Sequence, residues 1–301
     1  MKKIVTQNES DLLTLLTDSG YSKTKAKQLI KHRAILIDDQ EATRPDQPLS
    51  PGEVVYVRSE EEMRKQARTC PGLSILYEDE SIIVIDKPAG LLTIATEKEK
   101  RKTAFFLLSS YLKERAKSAK ERIFIVHRLD QGTSGLLVFA KNETVKQILQ
   151  DGWEHADKRY SAIVEGVPRK KEGQITSTLS ESKALRVYTV RDKSEEGKEA
   201  RTSYKVIKES VDYAMLDITL LTGRKNQIRV HMASIGFPVA GDSIYGKKND
   251  RYRELGIIRQ CLHASNLSFL HPATMEQVSF SADMPEDMAT VLERLRGGGS
   301  L

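Results

Sequence analysis

The stretch His127–Gly135, "HRLDQGTSG", constrains this chain more than any other, because it joins two apolar runs, "IFIV" and "LLVFA". Short runs rich in Val, Ile and Phe, bounded by turn formers, read as buried strands. The lone carboxylate of Asp130 therefore sits where a sheet opens into a loop. Asp, Gly, Thr and Ser are ordinary turn formers, and a simple chain reversal is one reading of them. Loops carried by rigid strands also present reactive groups, and that is the other.

At 301 residues, 30% of them charged, the sequence has the profile of a globular chain of one large or two smaller domains. It contains no apolar run of about 18 residues, and "MKKIVTQNES" lacks the apolar core of a secretory signal, so the expected location is the cytoplasm. Cys70 and Cys261 are far apart and form no CxxC pair, which predicts free thiols and gives no zinc signature. The formal net charge of +6 permits a polyanionic partner, and its distribution says more than its size. "SKTKAKQLIKHR" carries five basic residues, Lys23, Lys25, Lys27, Lys31 and Arg33, and no acid. A second run, Lys98–Arg122, holds nine Lys or Arg against three Glu just upstream of the loop at Asp130. A solvated helix face explains either run alone. Two runs, one leading into a candidate active site, favour a long anionic ligand such as nucleic acid.

Residues 1–58 read as a small domain, 59–72 as a linker, 73–296 as the main domain and 297–301 as a flexible tail. In the small domain Leu12, Leu13, Leu15 and Leu16 predict a short helix ending at Gly20. Ser22 caps a second, whose Ala26, Leu29 and Ile30 face inward while its lysines face out. A strand, a turn region with Pro45, Pro48, Pro51 and Gly52, and a second strand, "EVVYV", follow. In the main domain, two strands flank an "EDE" turn, and Lys87 ends the second one. Asn142 caps a helix with Val145, Ile148, Leu149 and Trp153 on one side. "KRYSAIVEG" alternates so that Tyr160, Ala162 and Val164 share a strand face. Residues 173–207 read as an antiparallel meander, and a later helix groups Ile228, Met232 and Ile235 with Arg229 turned away from them.

"HRLDQGTSGLLVFAKN", "KRYSAIVEG" and "TGRKNQIRVHMASIGFPVAGDSIYG", in this order and spacing, resemble the hallmark stretches of the RluA-type pseudouridine synthases. "DKPAGLL" and "LHASNLSFLHP" agree with the same family, and the resemblance runs from about Leu73 to Arg296. Residues 1–58 resemble the small RNA-binding domain shared by a small-subunit ribosomal protein and bacterial tyrosyl-tRNA synthetases. They depart from it at "KHR" and "DDQ", where that family has a Gly and an Asn-Gly turn. Together these resemblances imply an α+β fold. A small RNA-binding domain of αααβ type precedes a catalytic domain with a mixed, mainly antiparallel sheet flanked by helices.

The implied reaction converts a uridine in RNA to pseudouridine, with no cofactor and no metal. A carboxylate can serve it as a covalent nucleophile, or by stabilising a developing sugar cation and removing a proton. By resemblance Asp130 is that carboxylate, Arg229 is the cation that favours its ionised state, and Tyr160 lies against the target base or takes up a proton. Arg128 contacts the RNA backbone or fills the place of the flipped base. Leu129 and Thr133 are grouped with it in the substrate-binding loop, and Lys23, Lys25, Lys27, Lys31 and Arg33 with the RNA contacts of the small domain. Asn226 stands where the family commonly has His, which removes a titrating group from that position. The expected partner is RNA, with large-subunit ribosomal RNA the preferred substrate and transfer RNA the alternative, and the expected state is a monomer with no membrane. Two other readings are an RNA-binding assembly factor without turnover and a glycosidic-bond hydrolase, the latter lacking a second placed carboxylate.

Overall fold

The computed structural model describes residues 2–31, 34–38, 40–42, 44–58, 69–70, 72–115, 122–190, 196–246 and 249–297. Arg33, positions 59–68 and 71 of the expected linker, residues 116–121 of the second basic run, the meander tip at 191–195 and the tail from 298 lie outside them. So does the side chain of Lys31. The chain divides into two units, 1–69 and 70–301.

The first unit is organised by two capped helices. At the start of α1 (Leu12–Asp18), the Asp11 carboxylate accepts from Thr14 N at 2.9 Å. At the start of α2 (Lys23–Lys31), the Ser22 hydroxyl accepts from Lys25 N at 3.2 Å. Such caps satisfy first-turn amides that have no helical partner. Leu12 and Leu16 of α1 cluster with Ala26, Leu29 and Ile30 of α2, while Lys23, Lys25 and Lys27 are exposed. The cluster is completed from a four-stranded sheet, ordered β1 (Lys2–Val5), β6 (Val54–Val57), β3 (Ile35–Ile37), β4 (Gln40–Glu41). A minor pair, β2 (Ser10–Asp11) with β5 (Pro48–Leu49), lies beside it in sequence. Among the described residues this unit has two helices, where the αααβ reading implies three, and it opens on β1. The four residues "KKIV" are too short and too polar to announce a strand; pairing with β6 makes them one.

The second unit is organised by a twelve-stranded sheet among the described residues. Its strands are β7 (Thr69–Cys70), β8 (Leu73–Glu78), β9 (Ile82–Lys87), β10 (Phe124–Ile125), β11 (Ser134–Ala140) and β12 (Asp157–Glu165). They continue with β13 (Glu172–Glu181), β14 (Val187–Thr189), β15 (Lys198–Glu209), β16 (Tyr213–Leu220), β17 (Leu262–Leu270) and β18 (Gln277–Ser281). The path runs β14-β13-β15-β16-β12-β17-β11-β9-β8-β7, with β10 on β11 and β18 on β17. β11 and β17 are parallel, while β9, β12, β13, β15, β16 and β18 meet their neighbours antiparallel. Thr69–Cys70 corrects the end of the expected linker. Two residues show no periodicity, yet Cys70 is buried in the core and its neighbour joins it in an edge strand. Both cysteines are free thiols.

Strands buried on two faces alternate between two cores, which is why "IIVID" and "LLVFA" are continuously apolar. Ile83 and Ile85 of β9 and Leu137 and Phe139 of β11 enter one core; Ile82, Val84, Leu136, Val138 and Ala140 enter the other. Helix α3 (Ala104–Arg115), inside the second basic run, buries Ala104, Leu108 and Leu112 on the first face. Helix α4 (Glu143–Asp151) covers the second, capped by Asn142 Oδ1 accepting from Val145 N at 2.8 Å. It buries Val145 and Leu149 but leaves Ile148 exposed. Three further helices, α5 (Gln227–Ser234), α6 (Arg251–Leu255) and α7 (Glu286–Gly297), complete the unit among the described residues. No helix of the described residues is long and apolar enough to cross a membrane.

Gly135 places the loop at Asp130 against the sheet. Its φ is +111°, and a Cβ there would lie 2.3 Å from Ala264 O, backbone of the parallel neighbour β17. Only Gly adopts that conformation at that separation. Gly135→Ala is therefore expected to destabilise the protein by about 2–4 kcal/mol. Thermal unfolding followed by circular dichroism should show a fall of roughly 5–15 °C.

Candidate active site

The loop that leads into β11 is latched on both sides before any charged group is considered. Leu129 packs in the core, its N donates to Thr93 Oγ1 at 3.1 Å and its O accepts from the same hydroxyl at 2.8 Å. Gln131 O accepts from Gly90 N at 2.8 Å, and its side chain donates back to Gly90 O at 3.0 Å. Thr133 Oγ1 accepts from Gln260 Nε2 at 2.7 Å, and Thr133 N closes the turn on Asp130 O. From beneath, the buried Lys87 ammonium donates to Pro88 O, Leu91 O and Gln131 O at 2.9, 2.8 and 3.4 Å. Burial, then the charge of Arg259, lowers the Lys87 pKa to about 8 against the opposing pull of Asp130 and Asp86. It remains largely a cation at neutral pH.

Asp130 emerges from this frame with its carboxylate toward α5. Arg229 Nη1 donates to Asp130 Oδ2 at 3.0 Å. The same guanidinium donates through Nε and Nη2 to Asp242 Oδ2 and Oδ1 at 2.6 and 2.8 Å, and through Nη1 to Asn226 Oδ1 at 3.2 Å. Asp242, wholly buried, also accepts from Ile244 N and Tyr245 N. Burial alone would raise the Asp242 pKa; the Arg229 fork and these two amides outweigh it and hold the carboxyl below its ordinary 3.8. Burial works against the Arg229 cation too, and Asp242 and Asp130 overcome it, so its pKa is raised. A bidentate guanidinium–carboxylate pair fixes direction as well as charge.

Tyr160 lies on β12, where the register with β17 shifts between Arg159 and Tyr160. It is 9% exposed, and burial followed by the charge of Asp130 pushes its phenol pKa up, so the phenol is neutral at physiological pH. With Asp130, Arg128, Leu129, Thr133, Lys158, Arg224, Lys225, Asn226 and Arg229 it lines a cavity of about 290 Å³. Arg128 is exposed at the wall. The floor of α5 is set by Gln227, whose Oε1 accepts from Thr222 Oγ1 and Arg224 N and whose Nε2 donates to Arg201 O and Thr202 Oγ1.

The structure thus brings Asp130, Tyr160, Arg229 and Arg128 to one cavity. Leu129 and Thr133 border it but act on the loop: one side chain is core and the other hydroxyl is committed to Gln260. Lys23, Lys25 and Lys27 belong to the separate amino-terminal unit. Asn226, at φ +54°, bridges Arg229 and the Tyr245 hydroxyl, so both ends of its amide are in hydrogen bonds. His127 stacks on Trp153 at 4.5 Å and accepts from Val138 N, and burial lowers its pKa to about 3. His231 is held between Ser177 and Thr202 hydroxyls, with burial lowering its pKa to about 4. Both imidazoles are neutral structural groups. Sequence reasoning missed Asp242, Thr93 and Gln260. Asp242 lies within a hallmark stretch, but nothing local tied it to Arg229.

A buried carboxylate–guanidinium pair, a neutral phenol and basic side chains thus meet around one cavity. The sequence profile of the RNA pseudouridylate synthase family matches residues 81–234, and that of the S4 domain matches residues 13–55. The RNA pseudouridine synthase YlyB of Bacillus subtilis is 33% identical over 94% of this chain and 92% of its own. The ribosomal large subunit pseudouridine synthase D of Vibrio cholerae is 33% identical over 95% and 90%. The solved structure of human RNA pseudouridylate synthase domain containing 4 superposes with a TM-score of 0.63 at 26% identity, covering 74% of this chain and 92% of that one. The chain belongs to the RNA pseudouridine synthase family and is an RNA-modifying enzyme with an amino-terminal S4 domain.

Breaking the Arg229–Asp242 pair leaves a buried cation short of its strongest partner, a loss of about 3–5 kcal/mol for Asp242→Asn. Because the folded Asp242 pKa is depressed, its contribution is complete above pH 3.8 and fades as pH falls through the lower folded value. Acid unfolding should show that component in the unsubstituted protein and lack it in Asp242→Asn.

Proposed function

We propose that this enzyme isomerises uridines of large-subunit ribosomal RNA, with Asp130 as the reacting carboxylate, Arg229 as the cation paired with it and Tyr160 as the wall against uracil. The observation that carries the reading is the 3.0 Å pair between Arg229 Nη1 and Asp130 Oδ2 at the floor of the cavity. The reaction breaks the ribose C1′–N1 bond and forms C1′–C5. A proton leaves C5, one is gained at N1, and no electrons are exchanged. A carboxylate suits the sugar cation or the ring as nucleophile and can then receive the C5 proton. The neutral phenol of Tyr160 gives the base a flat apolar partner beside it. Arg128, exposed at the wall, meets backbone phosphate or occupies the gap left by the extruded nucleotide. The family's chemistry uses no cofactor, and none is assigned here.

The ribosomal assignment is supported by relatives named ribosomal large subunit pseudouridine synthase D, which match 95% of this chain and 90% and 77% of their own lengths. The exposed Lys23 and Lys27 of α2 supply phosphate contacts. Replacing both by Ala should weaken RNA binding and reduce the slope of log affinity against log salt by about 1.5–2.

Tritium release from transcripts labelled at uridine C5 tests the whole reading. Release is expected from large-subunit ribosomal RNA. Asp130→Asn should reduce it at least about 1000-fold with RNA binding retained. Release from transfer RNA alone would move the substrate, and an unchanged rate in Asp130→Asn would remove the carboxylate's role.

A further inference from the structure

Tyr245 stands outside the cavity lining, in the turn after Asp242, yet it touches the Arg229 assembly in three ways. Its ring centroid lies 5.2 Å from Arg229 Cζ, within cation–π range. Its N donates to Asp242 Oδ1 at 3.0 Å. Its hydroxyl accepts from Asn226 Nδ2 at 3.1 Å. A guanidinium has no acceptor, so the Asn226 atom facing Arg229 must be the carbonyl oxygen, and the amide nitrogen must face Tyr245. The phenol oxygen therefore decides which end of Asn226 meets Arg229. Without it the amide can turn over and set Nδ2 against Nη1, donor against donor, on the nitrogen that holds Asp130.

The same hydroxyl accepts from Val187 N at 3.1 Å, and Arg186 Cζ lies 5.5 Å from the ring while its Nη2 donates to Ile244 O. The β13–β14 hairpin is thus pinned to the turn that carries Asp242. We propose that Tyr245 is a positioning residue for the isomerisation. Through Asn226 and its ring face it holds Arg229 Nη1 on Asp130, and it ties that pair to the hairpin at the edge of the sheet. This rests on the reading of Asp130 and Arg229 as the reacting pair.

Tyr245→Phe, Asn226→Ala and the double variant, assayed by tritium release, test it. Each single change is expected to lower kcat about tenfold at unchanged KM, the worth of one hydrogen bond. The double variant should be little worse than either, because both act on one path. Melting temperatures should stay within a few degrees. A wild-type rate in Tyr245→Phe, a loss that falls on KM with kcat unchanged, or losses that multiply in the double variant would each overturn the proposal. Asp130→Asn is run alongside. If it stays active, the underlying reading fails. If it is inactive while Tyr245→Phe behaves as wild type, only the Tyr245 assignment fails.

Discussion

The guanidinium of Arg229 is the group on which the site depends. A cation at this depth loses most of its hydration, and the loss is offset only where several acceptors are already in place. Asp242 takes two of its donor directions, and Asp130 with Asn226 shares a third. The consequence for Asp130 follows directly. Its partner cannot swing toward solvent without abandoning a wholly buried carboxylate, so the cation beside Asp130 is fixed in the protein alone. Preorganised charge of this kind requires no rearrangement at the moment of reaction.

The loop carrying Asp130 is held by a different principle, side chain to backbone. Thr93, Lys87 and Gln260 reach it from three segments, and all three are buried. Thr93 and Lys87 satisfy loop backbone atoms that a sheet or helix would otherwise pair, and Gln260 holds the Thr133 hydroxyl, which is what allows an irregular segment to sit over a core. Arg259 adds a fourth support: it donates to Gly132 O, Gln260 O and Leu262 O and forms a forked pair with Asp287 of α7. The carboxyl-terminal helix is thereby part of the loop's foundation, though it contributes nothing to the cavity lining.

Much of this was legible in the sequence, and the boundary of what was has a physical cause. Short apolar runs located β9 and β11 and alternation located β12, because both patterns are written locally; Ser22 and Asn142 were visible as caps because a cap acts within three residues. The hallmark stretches delivered Asp130, Tyr160 and Arg229 by resemblance. Asp242, Thr93 and Gln260 were not found because their roles exist only across separations of 13, 36 and 127 residues. A threonine latch and a turn aspartate look like any other until the fold brings them to their partners. The strand β1 was missed for the opposite reason, a segment too short to carry a pattern that its neighbour imposes.

The distribution of charge joins the site to its substrate class. At the floor, Asp130 and Asp242 are matched by Arg229 and by Lys87, whose charge interacts with Asp130 from beneath the loop. Two anions and two cations leave little net field there. Around the wall, Arg128, Arg224 and Lys225 face outward, and Lys225 is partly spent on Glu181 and Leu185 O. A polyanion approaching the cavity therefore meets a positive rim and a balanced floor. Had Asp130 stood unpaired, its charge would oppose the phosphates flanking a flipped nucleotide over the few ångströms where screening by salt is weakest. The ion pair that aligns the Asp130 carboxylate thus also offsets the charge it would present to a polyanion.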